Sequence, residues 1–437
     1  MNGGGPLLDR RTTLALGLAT SLPAGLASAA AAGPSLMDDV RHYAALGPHR
    51  TGTPGNLAAL DWVEARLRTA GFAVARQPVR YADHDIARAT IATGAVQLDG
   101  IVQRPACPTG PAGLSAPLVL ADEPADPARL SGKIAVIRLP HARHSSILEA
   151  RTARPVKAAL AAGCVGLVLV TRGPSGEALA LNAPLEHPIA AVPTLVIAPR
   201  DAAPIVTAAG RGDAGRIVVE GQAITASSAN IVARRRGQGR AIVVTTPLSG
   251  WFGCAGERGS GIAAFLHAAP LLARRYPDAD LHFAGLVGHE REYVGGDAYV
   301  GAHAPPPDQV RLWVHLGAGF AARDWHEIAD GVLAPLPGAD AQRYLLAPEA
   351  WLGTLRPLLT TLPGYQQPYP ATIENSAGEA RHFIERGYRN MVATIGAHRL
   401  HHARTDDATA IDPGSLETSW VGWSRALVAL LHRHATA

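Results

Sequence analysis

The sequence predicts an α/β fold, a mixed sheet with helices on both faces and a small module inserted into it. Short apolar, β-branched runs alternate with helical patterns along most of the chain. A strand at Ala241 to Thr245 runs into a glycine-rich loop and then a helix from Ile262 to Arg274. Between about Thr93 and Gly221 the texture changes to brief apolar runs broken by proline and glycine. A chain of 437 residues also exceeds what one hydrophobic core organises. The expected division is an α/β domain built from 33–92 and 222–437, with 93–221 as a β-rich insert.

Residues 1–32 are set apart from the fold. Arg10 and Arg11 precede an apolar run from Leu14 to Leu26, and Ala27, Ser28 and Ala29 form a small-residue cleavage site. This is the pattern of an export signal, its paired arginines suggesting the twin-arginine route, and a periplasmic or secreted protein is expected. The apolar run is too short to span a bilayer, and no later run is long enough, so no membrane partner is expected after signal removal. With 47% apolar and 17% charged residues the chain is globular. The net charge of +4 falls to about +3 without Asp9, Arg10 and Arg11, too little to point to nucleic acid. Three cysteines, Cys107, Cys164 and Cys254, exclude a disulfide framework. Cys164 heads the apolar run Val165 to Val170 and reads as a buried small hydrophobe.

In chain order, Ser35 to Leu46 reads as a helix, and HRTGTPG (His49 to Gly55) as a turn-rich loop. Asn56 can cap the next helix, whose Leu60, Val63 and Leu67 share a face and which Gly71 ends. Within the insert, Gly132 to Leu139, Val165 to Val170 and Val192 to Ala198 read as strands and Val156 to Ala162 as a helix. Beyond it lie strands at Asn230 to Arg234, Ala241 to Thr245, Asp280 to Val287, Arg311 to Leu316 and Asn390 to Ile395. Helices are expected at Ala380 to Arg386 and Leu416 to His432. Asp324 to Pro370 is proline-rich and poorly periodic, a cap or long connection. Ligands in such folds bind at the carboxyl ends of strands, so Thr246, Ser249, Trp251, Cys254, Glu257 and Arg258 should project into that crevice.

HRTGTPGN, the GKIAVIR…AAGCVGLVLV…VPTLVIA module, GSGIA, HEREYVGGDAYV and HHARTDDATAID together resemble metallopeptidase family 28. This is the zinc aminopeptidase family, to which glutaminyl cyclases are related. The resemblance implies a zinc-aminopeptidase-like (phosphorylase/hydrolase-like) sheet and makes 93–221 a protease-associated domain. It also implies two zinc ions, held by a His-x-Asp, a bridging Asp, a Glu-Glu pair whose first Glu is the base, a further Asp and a late His. At those positions this chain carries Thr246-Pro247-Leu248, Glu257 followed by Arg258, His289-Glu290, Gly317 and His402.

Leucine, proline and glycine offer no ligand, so a two-metal clamp is not expected to assemble. One zinc remains compatible with Glu290, His402 and Glu257 plus His289 or His315, although Arg258 is a fixed cation beside them. In that reading the protein is an exported hydrolase of a peptide or small amide, with His289 as base, because imidazole titrates near neutral pH. With no metal at all, Cys254 or Ser249 would be the nucleophile of a hydrolase or transferase. His289 or His315 would then be its base, Glu257 or Glu290 the orienting group and the loop amides an oxyanion hole. A third class is a non-catalytic pseudopeptidase that binds a peptide or small ligand. Trp251, Ser249 and Arg258 are the substrate-binding candidates, with Trp251 equally a core residue. Asp406 or Asp407 is expected to hold the His402 ring, His398 and His401 to lie on the surface, and Glu379 to cap the helix from Ala380.

Overall fold

The central strand, Gln238–Pro247, is buried from Ala241 onward, and its side chains alternate between two cores. Ile242 and Val244 join one apolar cluster and Ala241 and Val243 the other, as a strand covered on both faces requires. The computed structural model describes residues 34–121 and 126–433, and the export signal read in residues 1–32 lies outside them. Among the described residues no helix is long and apolar enough to cross a membrane.

Gln238–Pro247 lies between Val310–Leu316 and Ala279–Leu286, parallel to both, and Met391–Ile395 continues the parallel set beyond Val310–Leu316. Helices cover both faces. Leu36–Ala45, Pro54–Thr69, Ser260–Arg275 and Pro413–Arg433 pack on one side through Tyr43, Leu60, Phe265 and Leu430. Val294–Ala302 and Gly378–Glu385 pack on the other through Tyr299 and Phe383. Four strand ends therefore open on one edge, where Leu248, Val287, Gly317 and Gly396 begin the loops of the site.

The described residues between Thr93 and Ala214 are carried on a long antiparallel ribbon. Ala73–Thr93 pairs with Ala214–Arg235 along nearly its whole length, with a register irregularity between Ile86 and Arg88. Gly221 sits opposite this irregularity, and a Cβ there would lie 2.3 Å from the Asp85 carbonyl oxygen, which is why glycine occupies it. Leu114–Leu120, Ile134–Arg138, Gly166–Val170 and Thr194–Ile197 then run parallel as an extension of the same sheet, with helices Ala150–Ala161 and Ala203–Arg211 beside them. The described residues from Ser35 onward form one compact unit.

Two local readings change. Thr53, with Pro54 following, caps the second helix, while Asn56 is buried and accepts hydrogen bonds from the Gly52 N–H and the Ser228 hydroxyl at 3.1 and 2.7 Å. The 324–370 segment is more ordered than its prolines suggest. Arg323–Ala329 and Val332–Ala339 form a separate antiparallel ribbon, and Tyr344–Ala347 joins the edge of the large sheet. Pro335 and Pro337 are tolerated because a two-stranded ribbon leaves one side of each strand unpaired.

Phe283 is fully buried between Phe72 and Phe265, at ring separations of 5.0 and 5.2 Å. Phe283→Ala is expected to cost about 3–5 kcal/mol, read as a lower urea midpoint with an unchanged slope.

Candidate functional site

Where the central strand ends, Leu248 packs down into the core against Gly285 and the chain turns through Phe252 and Cys254, both with positive φ. Ala255–Gly259 forms one π-helical turn before Ser260–Arg275 begins. Such turns widen a helix locally and recur at functional sites. This one is anchored from the far end of the chain. The Gly256 and Glu257 N–H groups donate to the two Asp406 carboxylate oxygens at 2.7 and 3.0 Å, and His398 Nε2 contacts the same carboxylate at 3.1 Å. A Cβ on Gly256 would lie 2.6 Å from Asp406 Oδ1, so only glycine admits this approach. Of the loop amides expected to form an oxyanion hole, those of Ala255, Gly256 and Glu257 are thus committed to Asp406.

Two placements differ from the expectations. His398 and His401 are buried, at 2% and 3% exposure, rather than on the surface. The His402 ring is held by a backbone carbonyl: Nδ1 lies 2.6 Å from Ala180 O, in the insert. Asp406 holds the loop and His398 instead, and Asp407 caps its own turn through the Thr409 N–H at 2.8 Å.

Glu257, His401 and His402 converge. Their ligand atoms lie within 4.8 Å of one another, with His402 Nε2 at 3.3 Å and His401 Nδ1 at 3.9 Å from Glu257 Oε1. The two rings stack at 4.0 Å. Both Glu257 oxygens, His401 Nδ1 and His402 Nε2 make no hydrogen bond, although all three residues are buried. The outer nitrogens are occupied, His402 Nδ1 by Ala180 O and His401 Nε2 by the Ser145 hydroxyl at 3.1 Å. A carbonyl only accepts, so His402 carries its proton on Nδ1 and turns a lone pair toward Glu257 when neutral. Burial alone would push the Glu257 carboxyl up. The Arg258 guanidinium against it, with His401 and His402, more than offsets that and holds it well below the usual carboxylate range.

A second group borders this one. Glu379 is fully buried, neither of its oxygens is hydrogen-bonded, and it makes no cap. His289 Nδ1 and His315 Nε2 stand 3.9 and 3.8 Å from its Oε2. The Trp313 indole N–H donates to the Thr245 hydroxyl at 2.9 Å, and that hydroxyl meets His315 Nδ1 at 3.0 Å. The same hydroxyl donates to the Val314 carbonyl at 3.4 Å, so Thr245 holds the ring at Nδ1 while Nε2 faces Glu379. Burial pushes Glu379 up to about 8 and His315 down to about 3, the latter helped by Arg258. His289 is likewise driven well below its ordinary value, by burial and then by Arg258. His289, His315, Glu379 and His401 line one cavity of about 430 Å³, whose walls include Arg143, Glu149 and Arg151.

The remaining candidates lie elsewhere. The Glu290 carboxylate is bonded by the Thr51 N–H and by the Ser249 hydroxyl at 2.8 Å, which fastens the HRTG loop to the strand ends and takes it out of the Glu257 cluster. Ser249 has thereby given its proton to a carboxylate rather than to a histidine. Cys254 is buried 3.4 Å from the Tyr43 hydroxyl, and burial, then the Glu257 charge, push its thiol well above normal, the reverse of an activated nucleophile. Trp251 is 5% exposed, donates to Asn182 Oδ1 at 2.8 Å and borders a different cavity, with Phe252 and Arg404.

No family model and no curated protein matches the chain. Solved structures do. A zinc aminopeptidase from Bacillus subtilis superposes with a TM-score of 0.69 at 16% identity, over 92% of this chain and 94% of that one. The fold is that of the zinc aminopeptidases. A peptidase M28 precursor from Shewanella amazonensis SB2B gives 0.68 at 17% identity over 91% and 92% of the two chains. An aminopeptidase from Aneurinibacillus sp. strain AM-1 gives 0.62 at 18% over 90% and 92%.

That fold raises the question of zinc, and the residues here answer it for one ion but not two. Pro247, Leu248 and Gly317 supply no donor for a pair. Glu257, His401 and His402 supply three buried donors, the two rings unbonded at their inner nitrogens and supported at their outer ones, the kind of set a catalytic zinc takes while keeping an open position. Arg258, paired with Glu257 Oε1, is a fixed cation that disfavours a dication there.

The raised Glu379 value has a stability consequence. Its carboxyl is held above the unfolded value of 4.5, so its favourable contribution is complete below pH 4.5 and is lost as pH rises through about 8. In chelator-treated protein, Glu379→Gln is expected to remove that decline and to exceed the parent by a few kcal/mol above pH 8, measured by urea unfolding across pH.

Proposed function

We propose that the protein hydrolyses an amide or peptide bond in the crevice at the strand ends, with one zinc ion on Glu257, His401 and His402. One observation carries this reading. Glu257, paired with Arg258 through Oε1, converges with His401 Nδ1 and His402 Nε2, two buried nitrogens without a hydrogen bond, while the outer nitrogen of each ring is already held. Buried polar groups are left unpaired only at a cost, and a ligand that satisfies several at once explains them.

Held by Glu257, His401 and His402, zinc would supply Lewis acidity for the scissile carbonyl and for the attacking water. The chain's own groups do the rest. Arg258 keeps Glu257 ionised and fit to act as ligand. Asp406 fixes the backbone that carries both. His289, uncharged and with Nδ1 unbonded, is the base that takes the proton from water. The cavity of about 430 Å³ takes one or two residues of a peptide or a small amide. The names of the fold's neighbours, zinc aminopeptidases and a peptidase, support this class. The signal read in residues 1–32 supports action after export, with 93–221 as a protease-associated insert.

Protein purified without chelator is expected to carry one zinc per chain by elemental analysis. His401→Ala and His402→Ala should each weaken zinc binding by about 10²-fold or more and remove amide hydrolysis, while Cys254→Ala leaves both in place. Apo protein at saturating zinc with no turnover of any amide would return the chain to the binding-protein class.

A further inference from the structure

We propose that Glu379 is the general acid of this site, the group that protonates the leaving nitrogen as the amide bond breaks. The assignment rests on the hydrolase reading above and names a residue on a different element from the zinc ligands and from the base.

The argument begins with placement. Glu379 is the second residue of Gly378–Glu385, where an acidic side chain ordinarily turns back to bond the helix's own first amides. It makes no such bond. The side chain points into the crevice, at 1% exposure, with both oxygens unbonded. Gly296 leaves it room, since a Cβ there would stand 3.3 Å from Glu379 Oε1. A carboxyl sunk this far without a donor is costly, and the structure retains it beside the donor cluster in the same cavity as His401.

Its neighbours suit the role. His289 Nδ1 and His315 Nε2 stand 3.9 and 3.8 Å from Oε2, beyond hydrogen-bond reach, so neither ring occupies the carboxyl. The charged groups acting on it are Arg258, which favours its anion, and Asp297 and Glu290, which oppose it. Burial, aided by Asp297 and Glu290, outweighs Arg258, so the carboxyl keeps its proton at neutral pH, whereas His289 beside it stays uncharged and can accept one. One group kept protonated and its neighbour kept unprotonated is the arrangement that separates an acid from a base.

The step balances within the site. Water adds its oxygen to the carbonyl carbon and gives a proton to His289. The carbon–nitrogen bond then breaks, its electron pair goes to nitrogen, and nitrogen takes the Glu379 proton. His289 returns its proton to the Glu379 carboxylate, leaving a free carboxylic acid and a free amine.

The test is leaving-group dependence in the zinc-loaded protein. Glu379→Gln is expected to lower kcat for an alkyl amide by about 10²–10⁴-fold, with a loss at least tenfold smaller for a p-nitrophenyl ester, whose leaving group departs without a proton. Glu379→Asp should recover part of the amide rate. Independently of turnover, the infrared band of a protonated carboxyl should be present in the parent protein at pH 7 and missing from Glu379→Gln. Equal losses on amide and ester, unchanged amide turnover, or no such band would each overturn the assignment while leaving the zinc hydrolase standing. A parent protein that binds zinc but cleaves neither substrate would overturn both.

Discussion

The cost of taking charge out of water governs this molecule. Glu257, Arg258, His289, His315, Glu379, His401 and His402 are packed at the end of one sheet, nearly all below a few per cent exposure. Each is tolerable only through its neighbours or through losing its charge. Glu257 meets a guanidinium and stays ionised; Glu379 has no such contact and keeps its proton; His289, His315 and His401 are held below their ordinary values by burial. The protonation pattern that suits hydrolysis thus follows from where one arginine sits. Asp406 makes it durable by fixing the backbone of the turn that bears both Glu257 and Arg258.

The scaffold was readable in the sequence because its signals are local. The apolar, β-branched run Ala241 to Thr245, the glycines after it and the apolar face at Leu60, Val63 and Leu67 each need only a short window. Ser35 forms the capping box that starts the first helix, with Asp38 three residues on. Local signals also misled. Pro335 and Pro337 hid a ribbon, and Asn56 looked like a cap when its side chain serves a partner more than 170 residues away. Pro155 obscured the first turn of Ala150–Ala161.

The site was only half legible, for the same reason reversed. Glu257, His289 and His402 stand out at the ends of predicted strands or in recognisable blocks. His401 lies in a polar run, HHARTDD, that reads as solvated surface, and nothing near it reveals that Ser145 from the insert covers it. Glu379 has the sequence context of an ordinary helix start. Glu290 has every credential of a ligand, but its carboxylate is taken by Thr51 and Ser249. Burial imposed by distant segments decides all three, and no periodicity encodes it.

The Ala180 carbonyl belongs to the insert, yet it sets the tautomer of His402, and Ala180 N–H bonds back to the His402 carbonyl at 3.1 Å. If the proposed ion binds, its occupancy and the seating of the segment bearing Ala180 are two sides of one thermodynamic cycle. Whatever loosens the ribbon at Gly221 would then raise the dissociation constant of the ion, and the ion would in turn clamp that segment down, as a latch does and a screen over an entrance does not.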